Sequence, residues 1–123
     1  METQIELEKE IGTKEPEILQ PKKVKIVKLE LKEVNKMKKL VCGVKHPDRD
    51  EPIDISRVEQ IGKDKKVKAV GLWYKEDEDN NIQKGIALSQ FLVFNGANKI
   101  SDLMNKEVET AIEDTGYLCF KAH

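Results

Sequence analysis

The stretch IALSQFLVFNGANKISDLMNKEVETAIEDTGYLCFKA, residues 86–122, decides the fold. Its first part has helical spacing. Ala87, Leu88, Phe91 and Leu92 fall at i, i+1, i+4 and i+5 and so share one face. Asn95–Gly96 follows as a stop, because both residue types tolerate the left-handed backbone that ends a helix. The spacing predicts one short helix over about 86–95. Ile100 and Leu103 then fit a single helical turn with both side chains pointing inward. At Lys106–Ile112 the period changes to two, with Val108, Thr110 and Ile112 on one face. Glu113–Asp114–Thr115–Gly116 is a hairpin turn with Gly at its end. Tyr117–Ala122 returns as a strand.

Upstream, the apolar runs have strand character. VKIVKLELKEV (24–34) places Val27, Leu29 and Leu31 on one face and Val24 and Ile26 on the other. A change of parity within one long strand predicts a β-bulge or a strong bend. Asn35–Lys36 is a turn. Residues 39–46 form a second strand, with Gly43 marking a bulge or a close approach. Residues 53–61 form a shorter strand whose parity shifts between Ile55 and Val58. Residues 65–74, rich in Val and aromatics, read as the third main strand. Residues 76–85 are a polar loop. The order is β-β-(short β)-β-α-β-β. A helix after the third main strand, followed by a closing hairpin, is the order of an OB-like β-barrel. The expected fold is therefore mainly β, an OB-like barrel of order β-β-β-α-β-β.

Residues 87–122 resemble the ending of small OB-fold single-strand DNA-binding proteins of phages and archaeal mobile elements. There a helix, a D-L-x-G-K-x-V turn into a strand, and an N-G-Y-L hairpin recur. This chain has Asp102–Leu103–Met104–Asn105–Lys106–Glu107–Val108 and then Thr115–Gly116–Tyr117–Leu118. Asn105 stands where the pattern has Gly, and Asn tolerates the left-handed conformation. The matching residues are mostly fold-forming, so the resemblance implies the barrel first and single-strand binding second.

Charged residues make up 37% of the chain and aromatics 5%, with only two arginines, Arg49 and Arg57. Such Lys/Glu enrichment fits a thermophile protein. No apolar run approaches the roughly 18 residues that span a bilayer. Residues 1–10 are acidic and have no apolar signal-peptide core. A cytoplasmic location is the resulting expectation. Cys42 and Cys119 then read as reduced, buried small hydrophobes. Residues 1–21 carry six acids and two lysines, and Gly12, Pro16 and Pro21 interrupt any helix. They read as a flexible acidic tail, with a short amphipathic pairing segment at Ile5–Ile11 as the alternative. Residues 22–123 read as one domain.

Several chemistries fail on spacing. An EF-hand counted from Asp77 needs Gly at its sixth position and Glu at its twelfth. The chain has Ile82 and Leu88 there. Cys42 and His46, like Cys119 and His123, are four apart, which on a strand separates them by about 13 Å. Neither pair can share a metal ion. No nucleophile–base pair, phosphate loop or cofactor motif assembles, so the expectation is a non-enzyme with no cofactor and no metal.

The charge map points to binding. Residues 22–45 hold nine lysines against Glu30 and Glu33, a net of +7. Residues 46–73 balance, with a local cluster at Lys63, Lys65, Lys66 and Lys68. Residues 74–123 hold five lysines and nine acids. Lysine neutralises phosphates and an aromatic ring stacks on a base. The candidate nucleic-acid-binding set is Lys23, Lys25, Lys38, Lys65, Lys66, Lys68, Trp73 and Tyr74. Strand parity leaves Trp73 and Tyr74 open. Trp73 groups with Val67, Ala69 and Gly71, Tyr74 with Lys68, Val70 and Leu72, and either group is apolar enough for the core. The expected function is a single-stranded DNA- or RNA-binding module of low sequence specificity. The alternative is a protein-interaction or assembly domain, with Gly71–Tyr74 as its contact surface or homodimer interface.

Overall fold

A computed structural model describes residues 6–12 and 19–123. Its longest element is an antiparallel ribbon of β1 (Val24–Val34) and β2 (Met37–Lys45). Asn35 and Lys36 turn it, with φ of 50° and 69°. Two consecutive left-handed residues match the twist of the strands they join. The register runs unbroken from Val34 opposite Met37 to Lys28 opposite Gly43, then slips between Ile26 and Lys28. Val27 is the extra residue of a bulge, as the parity change predicts. The slip lets Val24 and Ile26 bury fully while Leu29, of opposite parity, packs on the same core. Gly43 is the close approach, because a Cβ there would lie 3.0 Å from that of Lys28.

The next barrel strand is broken in two at Ser56. Its first half, β3 (Ile53–Ile55), pairs with β2. Its second half, β4 (Arg57–Ile61), pairs antiparallel with β5 (Val67–Gly71). β6 (Trp73–Tyr74) continues β5 and pairs back to β2 at Lys38 and Lys39. Leu72 makes this junction. Its N–H donates to the Ser56 carbonyl and its own carbonyl accepts from Leu40 N–H, both at 2.9 Å.

After the helix α1 (Ala87–Phe94) and a 3-10 turn at Ile100–Leu103, β7 (Glu107–Val108) pairs with β1. β8 (Thr110–Ile112) pairs with β9 (Leu118–Lys121). β9 also lies parallel to β4, with Val58 opposite Phe120. Following neighbours from β1 through β2, β3–β4, β9 and β8–β7 returns to β1. This is the strand circuit of an OB-like barrel. It corrects one assignment, because the third barrel strand is residues 53–61. Residues 67–74 are instead its hairpin partner. The parity shift at Ser56 is where that short strand leaves β2 and turns toward β9.

α1 closes the barrel, burying Leu88, Phe91 and Leu92. Phe91 and Phe120 stack with centroids 4.7 Å apart, and both are fully buried with Leu40, Leu72 and Leu103. The helix ends as its sequence predicts. The Asn95 side chain donates to the Phe91 carbonyl at 2.9 Å, and Gly96 takes φ 68°. Asn105 takes φ 65°, and its N–H donates to the Ile26 carbonyl at 2.8 Å. The left-handed turn thus locks β7 beside the bulge.

The expectation of a flexible tail falls partly on residues 1–5 and 13–18, outside the described residues. Residues 6–12 are all exposed. The fastening of the chain begins before Lys22. Buried His46 donates from Nε2 to the Gln20 carbonyl at 2.7 Å and accepts the Asp48 N–H at Nδ1, 3.0 Å away. These partners assign the neutral Nε2–H tautomer. Thr110 Oγ1 donates to the Lys22 carbonyl at 2.7 Å. Among the described residues no helix is long and apolar enough to cross a membrane.

Two outcomes are expected. Phe91→Ala removes half of the central stack and costs about 3–5 kcal/mol in denaturant melts. Burial pushes the Cys42 thiol up to about 12 and the Cys119 thiol to about 11, from an ordinary value of 9.0. As pH rises above 9, the unfolded chain releases thiol protons that the folded barrel retains, so this contribution to stability falls. A denaturation midpoint that declines through this range, less steeply in Cys42→Ala, checks the sign.

Candidate nucleic-acid interface

Leu40, Cys42 and Val44 point into the barrel, so Lys39, Val41, Gly43 and Lys45 face out. The register places Lys32 opposite Lys39, Glu30 opposite Val41, Lys28 opposite Gly43, and Lys25 opposite Lys45. The outer face of the ribbon therefore carries a row of five lysines. Glu30 is the acid within the row, 3.7 Å from Lys28 Nζ. Both partners are well exposed, so the contact contributes little. At the ribbon tip Val34 and Met37 are opposite each other, 41% and 52% exposed.

Trp73 joins this row. It lies opposite Lys39, whose Nζ sits 5.2 Å from the ring centroid. Such a cation–π contact contributes about 0.5–1 kcal/mol at a half-exposed site. The indole rests on Gly71. A Cβ there would come within 2.7 Å of the indole nitrogen and 3.0 Å of Lys39 Cε. Partial burial, then the Arg57 charge, lowers the Lys39 pKa, while Glu113 acts the other way.

Arg57 ties this face to the β8–β9 hairpin. Its Nε donates to Glu113 Oε2 and its Nη2 to the Ala69 carbonyl, both at 2.9 Å. The Glu113 side chain is only 7% exposed and also accepts from Thr115 Oγ1 at 2.7 Å. Beside this pair runs a groove of about 480 Å³ lined by Leu19, Arg49, Ile53, Asp54, Arg57 and Tyr117. Tyr117 is 76% exposed. Both arginines of the chain line the groove.

The eight residues expected from sequence do not form one surface. Trp73 lies on the outer face. Lys25 lies on the same face of the ribbon at its far end, beside Lys45 and Glu107. Lys23 precedes β1 at that end. Lys38 pairs with Tyr74 and sits opposite Glu33, on the parity of the core. Tyr74 packs its ring against the core and donates its hydroxyl to Glu76 Oε1 at 2.6 Å. That hydrogen bond raises its pKa. Lys65 and Lys66 lie in the β4–β5 turn, and Lys68 is on β5 just after it. There Asp64 accepts the Lys66 N–H and lies 3.6 Å from Lys68 Nζ.

Sequence reasoning missed Lys28, Lys32, Lys39 and Lys45. A two-residue turn at Asn35–Lys36 makes paired residue numbers sum to a constant, and that constant already sets Lys32 opposite Lys39. Arg57 carried no comparable signal. Tyr117 had one, an aromatic residue directly after the turn glycine. No family model, curated protein or solved structure matches the chain.

Gly71→Ala tests the packing of the site. The added methyl lifts the indole of the one tryptophan, red-shifting emission and costing roughly 1–3 kcal/mol of stability. Unchanged fluorescence would show that Trp73 does not rest on Gly71.

Proposed function

We propose that this chain is a non-enzymatic module that binds single-stranded DNA or RNA with little sequence preference. The observation that carries the reading is the Lys39–Trp73 pair, set within the lysine row on the outer face of the barrel. Alternate residues along a strand are about 6.8 Å apart, so Lys28, Lys32, Lys39 and Lys45 form an extended track for a phosphate backbone. The ring beside it offers a stacking platform, which contributes about 1–3 kcal/mol per base. Lysine is a point charge without the fork that reads a base edge, so such a track positions a strand without selecting its sequence. Arg57 is already held by Glu113 and Ala69, so its role is to support the face.

Fluorescence anisotropy with a labelled oligothymidylate tests the proposal. The expected result is binding that weakens with salt, at a slope of about 0.7 per phosphate contacted. Lys32→Glu with Lys39→Glu should reduce that slope. Trp73→Ala should weaken binding roughly 5- to 150-fold, the equivalent of one lost stack. Absence of salt-sensitive binding at low ionic strength would overturn the reading.

A second reading, a protein-interaction or assembly domain, draws on the exposed Val34–Met37 pair at the ribbon tip. Large exposed apolar residues clustered at one point mark a contact surface more often than scattered ones do. Sedimentation discriminates, because self-association through the tip would vanish in Met37→Glu.

A further inference from the structure

β5 is an edge strand, with β4 as its neighbour in the sheet. Gly62 N–H donates to the Lys66 carbonyl and Leu72 N–H to the Ser56 carbonyl. Hydrogen-bonded pairs alternate in an antiparallel ladder. Lys66, Lys68 and Val70 therefore direct their backbone groups to β4, while Val67, Ala69 and Gly71 direct theirs to the open side. Arg57 covers the Ala69 carbonyl there. Among the described residues, the Val67 N–H and carbonyl and the Ala69 N–H have no further partner. Val67 is 49% exposed.

The two faces of this edge differ. Lys66 and Lys68 lie on one, and Val67, Ala69 and Trp73 on the other. The segment Glu6–Ile11, ELEKEI, alternates in the same way. Glu6, Glu8 and Glu10 share one face, and Leu7, Lys9 and Ile11 the other. In the structure Glu6 and Leu7 are helical and Glu8 is a turn residue, with a 3.2 Å bond from Lys9 N–H to the Glu6 carbonyl. Leu7 is 79% and Ile11 98% exposed. Among the described residues, neither apolar side chain of the segment is packed.

We propose that Glu6–Ile11 adds to the open edge of β5 in its own chain as a further strand. Its glutamates then face Lys66 and Lys68, and Leu7 and Ile11 lie along Val67 and the Trp73 side of the sheet. The glutamate face meets Lys66 and Lys68, and the other face meets the apolar side with Leu7 and Ile11, Lys9 lying between them; a slip of one residue would set Glu against Val and Leu against Lys. Addition of an extended segment to an exposed edge is a common recognition mode. The reach is sufficient. Leu19 lines the groove with Arg57, whose guanidinium touches Ala69. The seven residue steps from Gly12 to Leu19 extend up to roughly 24 Å. The proposal does not depend on nucleic-acid binding.

Amide hydrogen exchange on the full chain tests it. The expected result is protection of the Val67 and Ala69 amides, with exchange at least about tenfold faster in Leu7→Lys/Ile11→Lys. Protection at Leu40, Cys42 and Val44 should be equal in both chains, showing the barrel intact. Lys66→Glu/Lys68→Glu should also expose the edge, and reversing Glu6, Glu8 and Glu10 to Lys in that variant should restore it. Equally fast edge exchange in the native and Leu7→Lys/Ile11→Lys chains would overturn the proposal. Protection that grows with protein concentration would overturn it too, by assigning the added strand to a second copy.

Discussion

Closure of the barrel rests on a parallel ladder of two residue pairs, Val58 with Phe120 and Glu59 with Lys121. Without it the second sheet comes apart into the β4–β5 and β8–β9 hairpins, and the ring of strands is open between them. The ladder is short, so side chains hold it. Phe120 is fully buried and stacks on Phe91, which ties helix and closing strand to one contact. The joints on either side are hydrogen-bonded through the carbonyls of Ser56 and Glu109. The carbonyl at each break is thus paired, as a half-buried backbone requires.

The outer face inherits its order from this ring. The bulge at Val27 lets β1 serve two purposes, feeding Val24 and Ile26 into the core and keeping Lys28 and Lys32 in line with Lys39. Gly71 provides the flat floor on which the indole lies. Arg57 spans from that floor to Glu113 on the neighbouring hairpin, so the lysine row and the groove beside it share one rigid base. The row is cationic because its partners across the ribbon are also lysines, and Glu30 and Glu107 offset only part of that charge.

Much of the fold was legible in local pattern. The helix, its Asn95–Gly96 stop, the left-handed Asn105, the bulge and the Asn35–Lys36 turn each follow from residue type and spacing, because each is a local backbone decision. The third strand was less legible. Residues 53–61 are interrupted at Ser56, and such a break looks like weakness until its two halves are seen pairing with different neighbours. The Val-rich run at 67–74 drew attention as the stronger strand for the same reason. Trp73 and Tyr74 were ambiguous since Leu72 bonds to both sheets, so both parities meet apolar surroundings. Density along the chain singled out Lys65, Lys66 and Lys68, but these lie on the β4–β5 hairpin of the second sheet rather than on the ribbon. Lysines spaced along two different strands made the coherent row, and only cross-strand register reveals that.

The separation of the closing pair along the chain has a consequence in time. The ribbon joins residues across a two-residue turn, while Val58 and Phe120 are 62 positions apart. Local pairs close quickly, and distant ones wait on a larger loss of chain entropy. The ribbon therefore forms early, and the ring is completed late, when β9 arrives beside β4. Until then the inner side of the ribbon, with Leu40, Cys42 and Val44, faces water. The lysines on its other side keep that half-built sheet charged, and charge on an unpaired sheet discourages it from joining another chain. The same row that forms the candidate interface thereby guards the barrel while it is still open.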